Sequence, residues 1–252
     1  MLSGVWEAGG WGLLAGSALL AGAAVGYVGR IPTRMVAAIM AFGSGVLLSA
    51  VSFELIAEAH DRGGMVPTAI GAVGGAIIYT GANLVLAARG ARHRKRSGDQ
   101  QPAESEQAGS GTAIALGALL DGVPESIVIG TSLLGGGTVS AVTVAAVFIS
   151  NVPEGLSSAS GMRRARRSRR YVFGLWGAIA VISAVSAMLG YGLLGEASPA
   201  LLAAITALAG GAILTMIADT MIPEAFDDAQ LMIGPITVAG FLSAFALSHL
   251  GH

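Results

Sequence analysis

The sequence predicts an all-α integral membrane protein with eight transmembrane helices. Three observations carry that expectation. Of the 252 residues, 54% are hydrophobic and only 12% are charged, about half the roughly 25% charge of a soluble domain. The mean hydropathy is +0.72. The apolar residues also gather into stretches long enough to cross a bilayer. This composition excludes a soluble globular enzyme, a nucleic-acid binder and a disordered regulator. The absence of cysteine excludes disulfides, thiolate metal sites and cysteine nucleophiles. The nine methionines read as packing residues, and most of the 38 glycines as close helix contacts.

A hydrocarbon core of about 30 Å takes about 20 apolar helical residues to cross. That window gives spans at 10–29, 35–57, 65–88, 112–134, 138–162, 171–194, 200–222 and 232–250, separated by charge, proline or glycine. The first lacks the basic start and cleavage site of a signal peptide and is kept as a helix. Arg30 and Arg34 follow span 1. Arg89, Arg92, Arg94, Lys95 and Arg96 follow span 3, and Arg163, Arg164, Arg166, Arg167, Arg169 and Arg170 follow span 5. Thirteen of the fourteen basic residues thus lie on one side, with only Arg62 on the other. The positive-inside rule makes that side cytoplasmic and turns both termini outward, as in a multi-pass protein of a bacterial inner (plasma) membrane. Residues 1–252 form one transmembrane domain, with 89–111 as a flexible cytoplasmic loop whose polar part, 97–111, has the composition of a disordered linker. The arginine run at 163–170 reads as a topology anchor, and no nucleic acid is expected as a partner.

Spans 2 and 7 align with a constant offset. Gly45 falls on Gly211, Leu48 on Leu214, Ile56 on Ile222, Glu58 on Glu224, Ala59 on Ala225 and Asp61 on Asp227. The two spans run in opposite directions through the membrane, which is the pattern of an inverted repeat. Spans 4 and 5 form a second pair. One carries Asp121-Gly122-Val123-Pro124-Glu125-Ser126, the other Ser150-Asn151-Val152-Pro153-Glu154-Gly155. A mid-helix proline removes a hydrogen bond and frees carbonyls near Leu120 and Ile149. In a bilayer such broken backbone needs protein or a wet cavity around it.

Asp121, Glu125 and Glu154 lie well inside spans, and Asp219 about one turn from the inner end of span 7. A central carboxylate costs roughly 2.5–3.5 kcal/mol to insert, and no lysine or arginine lies within a span core. These acids must be protonated, share protons, or face a bound cation. Asp121 and Glu125 are four apart on one helical face, as are Ser150 and Glu154, with Asn151 beside them. Oxygen ligands in this number suit a divalent cation.

The paired Val-Pro-Glu motifs, Phe53-Glu-Leu-Ile-Ala-Glu-Ala59 and Met221-Ile-Pro-Glu-Ala225 resemble the ZIP family of divalent metal transporters, over essentially the whole chain. The resemblance implies an inverted repeat of helices 1–3 and 6–8 around a central helix 4/5 pair. It also implies a homodimer and transport of zinc, manganese or iron as cargo, with no cofactor and no catalytic residue. It puts Asp121, Glu125 and Glu154 at primary ligand positions, Ser150 and Asn151 at positions with weaker groups, and Asp219 at the span 7 position. Family members usually carry His-Asn where Asp121-Gly122 stands, and often a glutamate on span 6, where this chain offers only Ser183 and Ser186.

All four histidines (His60, His93, His249 and His252) lie in loops or at the chain end. An all-oxygen site suits harder ions such as Mn²⁺ over Zn²⁺. The expectation is uptake of a divalent cation into the cytoplasm by alternating access, with Glu58 and Asp61 at the outer mouth and Asp219, Glu224, Asp227 and Asp228 at the inner one. The alternative is a membrane metal-binding, sensor or scaffold protein that moves nothing. An intramembrane hydrolase is not expected, because no nucleophile–base pair or His-Glu-x-x-His motif exists.

Overall fold

A computed structural model describes residues 2–29, 31–95, 101–103, 105–134, 141–229 and 232–250. Arg30, Arg96, His252, residues 97–100 and 104 of the expected linker and 138–140 at the start of the expected fifth span lie outside the described residues, as do the side chains of Asp227 and Asp228.

Apolar runs of membrane length become helices because an unpaired backbone amide is too costly away from water. The helices are α1 (Leu2–Val28), α2 (Thr33–Ala50), α3 (Ala57–Gly63), α4 (Met65–Leu86), α5 (Ser110–Ser132) and α6 (Ala141–Arg164). They continue as α7 (Arg169–Leu194), α8 (Pro199–Met216), α9 (Ile222–Ala229) and α10 (Ile233–Leu250). No strand occurs among the described residues. Local signals set several of the ends. The Ser168 and Ser198 hydroxyls accept from the backbone amides of Tyr171 and Leu201, and Pro199 takes the first turn of α8. Gly64, at φ +78°, turns the chain between α3 and α4.

Among the described residues six helical stretches are long and apolar enough to cross a membrane: Ser3–Val28, Thr33–Gly63, Met65–Ala91, Ser110–Ser132, Arg169–Leu194 and Pro199–Phe226. At the expected fifth and eighth spans stand α6 and the shorter apolar helix α10. Polarity is distributed as lipid demands. Ile70, Val73, Ile77 and Leu84 on α4 are exposed, while Ser126, Ser150, Asn151 and Ser157 are buried on α5 and α6.

Among the described residues three π-helical segments interrupt this pattern. Val51–Ile56 joins α2 to α3, Ile217–Met221 joins α8 to α9, and Ala87–Ala91 extends α4. Val51 and Ile217 are separated by the same offset as the aligned glycines. Those glycines also do equivalent jobs: Gly45 lies against the α10 backbone at Thr237, and Gly211 against the α4 backbone at Ala72. A Cβ at either position would overlap the neighbouring carbonyl. The packing follows suit, with α4 on α8, α10 on α2, α1 on α6 and α5 on α7.

The two largest apolar clusters among the described residues fill much of the interior. One joins Met40, Leu47 and Leu55 to Ile213, Met216 and Met221. The other joins Leu19, Ile114, Met162, Trp176 and Ile179. The expected breaks at the prolines do not form: α5 and α6 run on through Pro124 and Pro153. Each proline removes one donor, but the loss of one i→i−4 bond does not end a helix packed on several sides.

Candidate cation site

Asp121 and Glu125 of α5 and Glu154 of α6 are buried, at 2%, 2% and 4% exposure. The expectation that no basic side chain reaches these acids is corrected here. The partners come from outside the spans. After the π segment, Gly90 adopts φ +99° and bends the chain back beneath the bundle, so that Arg94 and Lys95 enter it at 2% and 1% exposure. A side chain would resist that backbone conformation, and a Cβ on Gly90 would lie 2.9 Å from Gln107 Oε1 and Ser110 Cβ.

Arg94 is fully engaged. Its Nε donates to Asp121 Oδ2 at 3.1 Å and its Nη2 to Asp121 Oδ1 at 3.0 Å, a two-pronged grip on one carboxylate. Nη2 also donates to the Tyr79 hydroxyl at 2.9 Å, and Nη1 to Asn83 Oδ1 at 2.8 Å. Tyr79 in turn donates to Asp121 Oδ1 at 2.6 Å. Gln101 Nε2 donates to the carbonyls of Arg94 and Ser158, at 3.0 and 3.1 Å, and the Ser157 hydroxyl donates to the carbonyl of Lys95. These bonds tie the connection after α4 to α6.

Lys95 Nζ lies 3.3 Å from Asp121 Oδ2 and 3.3 Å from Glu154 Oε1, bridging α5 and α6. Both contacts are ion pairs without the alignment of a hydrogen bond. Burial would pull the ammonium's pKa down, but Asp121 and Glu154 outweigh it and hold Lys95 above the ordinary lysine value. Glu125 lies within electrostatic reach of Glu154, Lys95 and Asp121, and its Oε1 is buried with no hydrogen-bond partner among the described residues. Arg94, Lys95, Asp121, Glu154 and Trp176 close around a space that admits no water molecule.

The remaining expected ligands are placed differently. Ser150 is buried, but its hydroxyl donates to the Val147 carbonyl at 2.9 Å. Asn151 Nδ2 donates to the Ala15 carbonyl at 3.0 Å and fastens α6 to α1. Asp219 is exposed, on the π segment before α9. A π turn rotates later side chains away from where α-helical spacing puts them, which takes Asp219 off the inward face. Of the expected rim acids, Glu58 pairs with Arg62 and Asp61 is exposed beside His60. Glu224 is buried, at 8% exposure, within electrostatic reach of Arg94 and Lys95. Among the described residues no three Asp, Glu or His side chains stand close enough together to hold a metal ion.

Sequence reasoning missed Tyr79, Asn83, Arg94, Lys95 and Gln101. One signal was available: Lys95 is the only lysine among fourteen basic residues. The chain matches no family model and no curated protein.

Proposed function

We propose that the chain is a multi-pass membrane protein that carries a divalent cation into the cytoplasm by alternating access, with Asp121, Glu125 and Glu154 as the cation site. The observation that carries this reading is the set of three buried carboxylates on two helices, two of which, Asp121 and Glu154, flank a positive charge. A lysine ammonium stands between Asp121 and Glu154, so this part of the interior is built to hold a cation. The unpartnered Glu125 oxygen adds a donor with unmet demand. An all-oxygen set suits Mn²⁺ better than Zn²⁺.

Three further elements belong to this proposal: eight crossings with both termini outside, an inverted repeat of helices 1–3 and 6–8, and a homodimer. The π segments at equivalent places and the matched contacts of Gly45 and Gly211 support the repeat. The ZIP resemblance of the Val-Pro-Glu pair supports the cargo class.

A second reading has its own observation. Lys95 already fills the space between the acids, and no three-ligand group is gathered. That arrangement fits a protein that binds or senses a cation without moving it. Purified protein in liposomes, loaded with a metal-sensitive dye and exposed to Mn²⁺ or Zn²⁺, separates the two. Transport requires dye signal above empty liposomes, abolished by Glu154→Gln. Metal binding with no flux supports the second reading.

A further inference from the structure

The site's two basic residues are adjacent in sequence and equally buried, yet they are held in different ways. Arg94 is fixed by hydrogen bonds to Asp121, Tyr79 and Asn83. Lys95 is held by charge alone, between one carboxylate from each helix. It is also tethered to a connection that enters the bundle from one end, past the turn at Gly90.

Charge balance distinguishes this ammonium from a permanent partner. With Asp121, Glu125, Glu154 and the nearby Glu224 ionised, Arg94 and Lys95 leave two negative charges uncompensated. A divalent cation in place of Lys95 would halve that deficit. A sodium or potassium ion would only equal the charge already present, and would have to compete with a tethered rival at a local concentration of about millimolar or more. The filled space excludes simultaneous occupancy, because not even a water molecule fits beside Lys95.

Resting on the cation-site reading above, we propose that Lys95 is a tethered competitor and the specificity-determining residue of this site. Lys95 and a divalent cation take the space between Asp121, Glu125 and Glu154 in turn. Metal entry displaces the ammonium, and its return drives the metal out at the end of the bundle from which the α4–α5 connection enters. Monovalent cations are rejected because they gain nothing over Lys95. Arg94 stays bound to Asp121 throughout as a positioning residue.

The single lysine makes the test clean, since amine reagents modify only Lys95 and the chain's N-terminus. In the full-length purified protein, the labelling rate at Lys95 is followed by mass spectrometry with and without Mn²⁺. Equilibrium Mn²⁺ binding is measured for wild type, Lys95→Gln and Lys95→Arg, in sodium chloride and in a sodium-free buffer. Competition requires at least about fivefold faster labelling in Mn²⁺. It also requires at least about tenfold tighter Mn²⁺ binding by Lys95→Gln, and a new sensitivity of that variant to sodium; Lys95→Arg should stay close to wild type. If wild type binds Mn²⁺ through Asp121 and Glu154 but labelling and affinity do not change, the exchange is wrong and the cation site stands. If neither wild type nor Lys95→Gln binds Mn²⁺, both proposals fall. The labelling arm uses wild type alone, so a misfolded variant does not remove the test.

Discussion

Removing Arg94 and removing Lys95 should have unequal effects. Arg94→Met takes both guanidinium bonds from the Asp121 carboxylate and one each from the Tyr79 hydroxyl and the Asn83 carbonyl. Breaking one side of a buried charge pair costs about 3–5 kcal/mol, so this variant should unfold well below wild type in detergent. Lys95→Met removes a cation that forms no aligned hydrogen bond and should unfold at a higher temperature than Arg94→Met. The reverse order would show that Lys95, not Arg94, is the structural clamp. Tyr79→Phe deletes one hydrogen bond to a charged acceptor and should cost roughly 1.5–3 kcal/mol. The sign of the lysine's pH effect is also set. A raised pKa contributes stability that is fully present below the ordinary lysine value and lost only as pH rises through the higher one. Wild-type melting should therefore show no step from Lys95 up to about pH 10.

The π segment at Ala87–Ala91 and the turn at Gly90 deliver both cations to the site. A non-glycine residue in the left-handed region costs roughly 1–2 kcal/mol, and at position 90 its Cβ would also press on Gln107 and Ser110. Gly90→Val should dislodge the segment and raise amine labelling of Lys95 several-fold. Gly74→Ala, where an added Cβ meets nothing within 4 Å, should leave labelling unchanged. Equal labelling in the two variants would break the link between the turn and the buried lysine. Elements of this kind were poorly legible in the sequence. Apolar windows found the long helices and their order, because twenty apolar residues have few other fates. They carry no trace of a π turn, and Asp219, a ligand position only through the ZIP resemblance, is exposed on that segment. The prolines misled in the opposite direction: the chemistry of a missing amide was right, but packing keeps α5 and α6 continuous through Pro124 and Pro153.

For the whole molecule, charge serves as a guide to location, and it finds three buried acids while missing two buried bases. Asp121, Glu125 and Glu154 stood out because a carboxylate in an apolar helix needs a reason, and all three are buried. The positive-inside rule treats basic residues as marks of a surface and so assigns Arg94 and Lys95 to an aqueous loop. No periodicity reveals that a loop folds back on itself. The single lysine was the available hint, and it is the residue that touches both helices. In the proposed function these carboxylates form a cation site through which a divalent ion crosses the membrane. The decisive measurement is Mn²⁺ flux into proteoliposomes, comparing wild type with an Asp121→Asn/Glu154→Gln double variant of equal folding. Saturable entry with wild type and no entry above empty liposomes with the double variant is expected. Equal flux in the two, or none in wild type, would overturn the proposal.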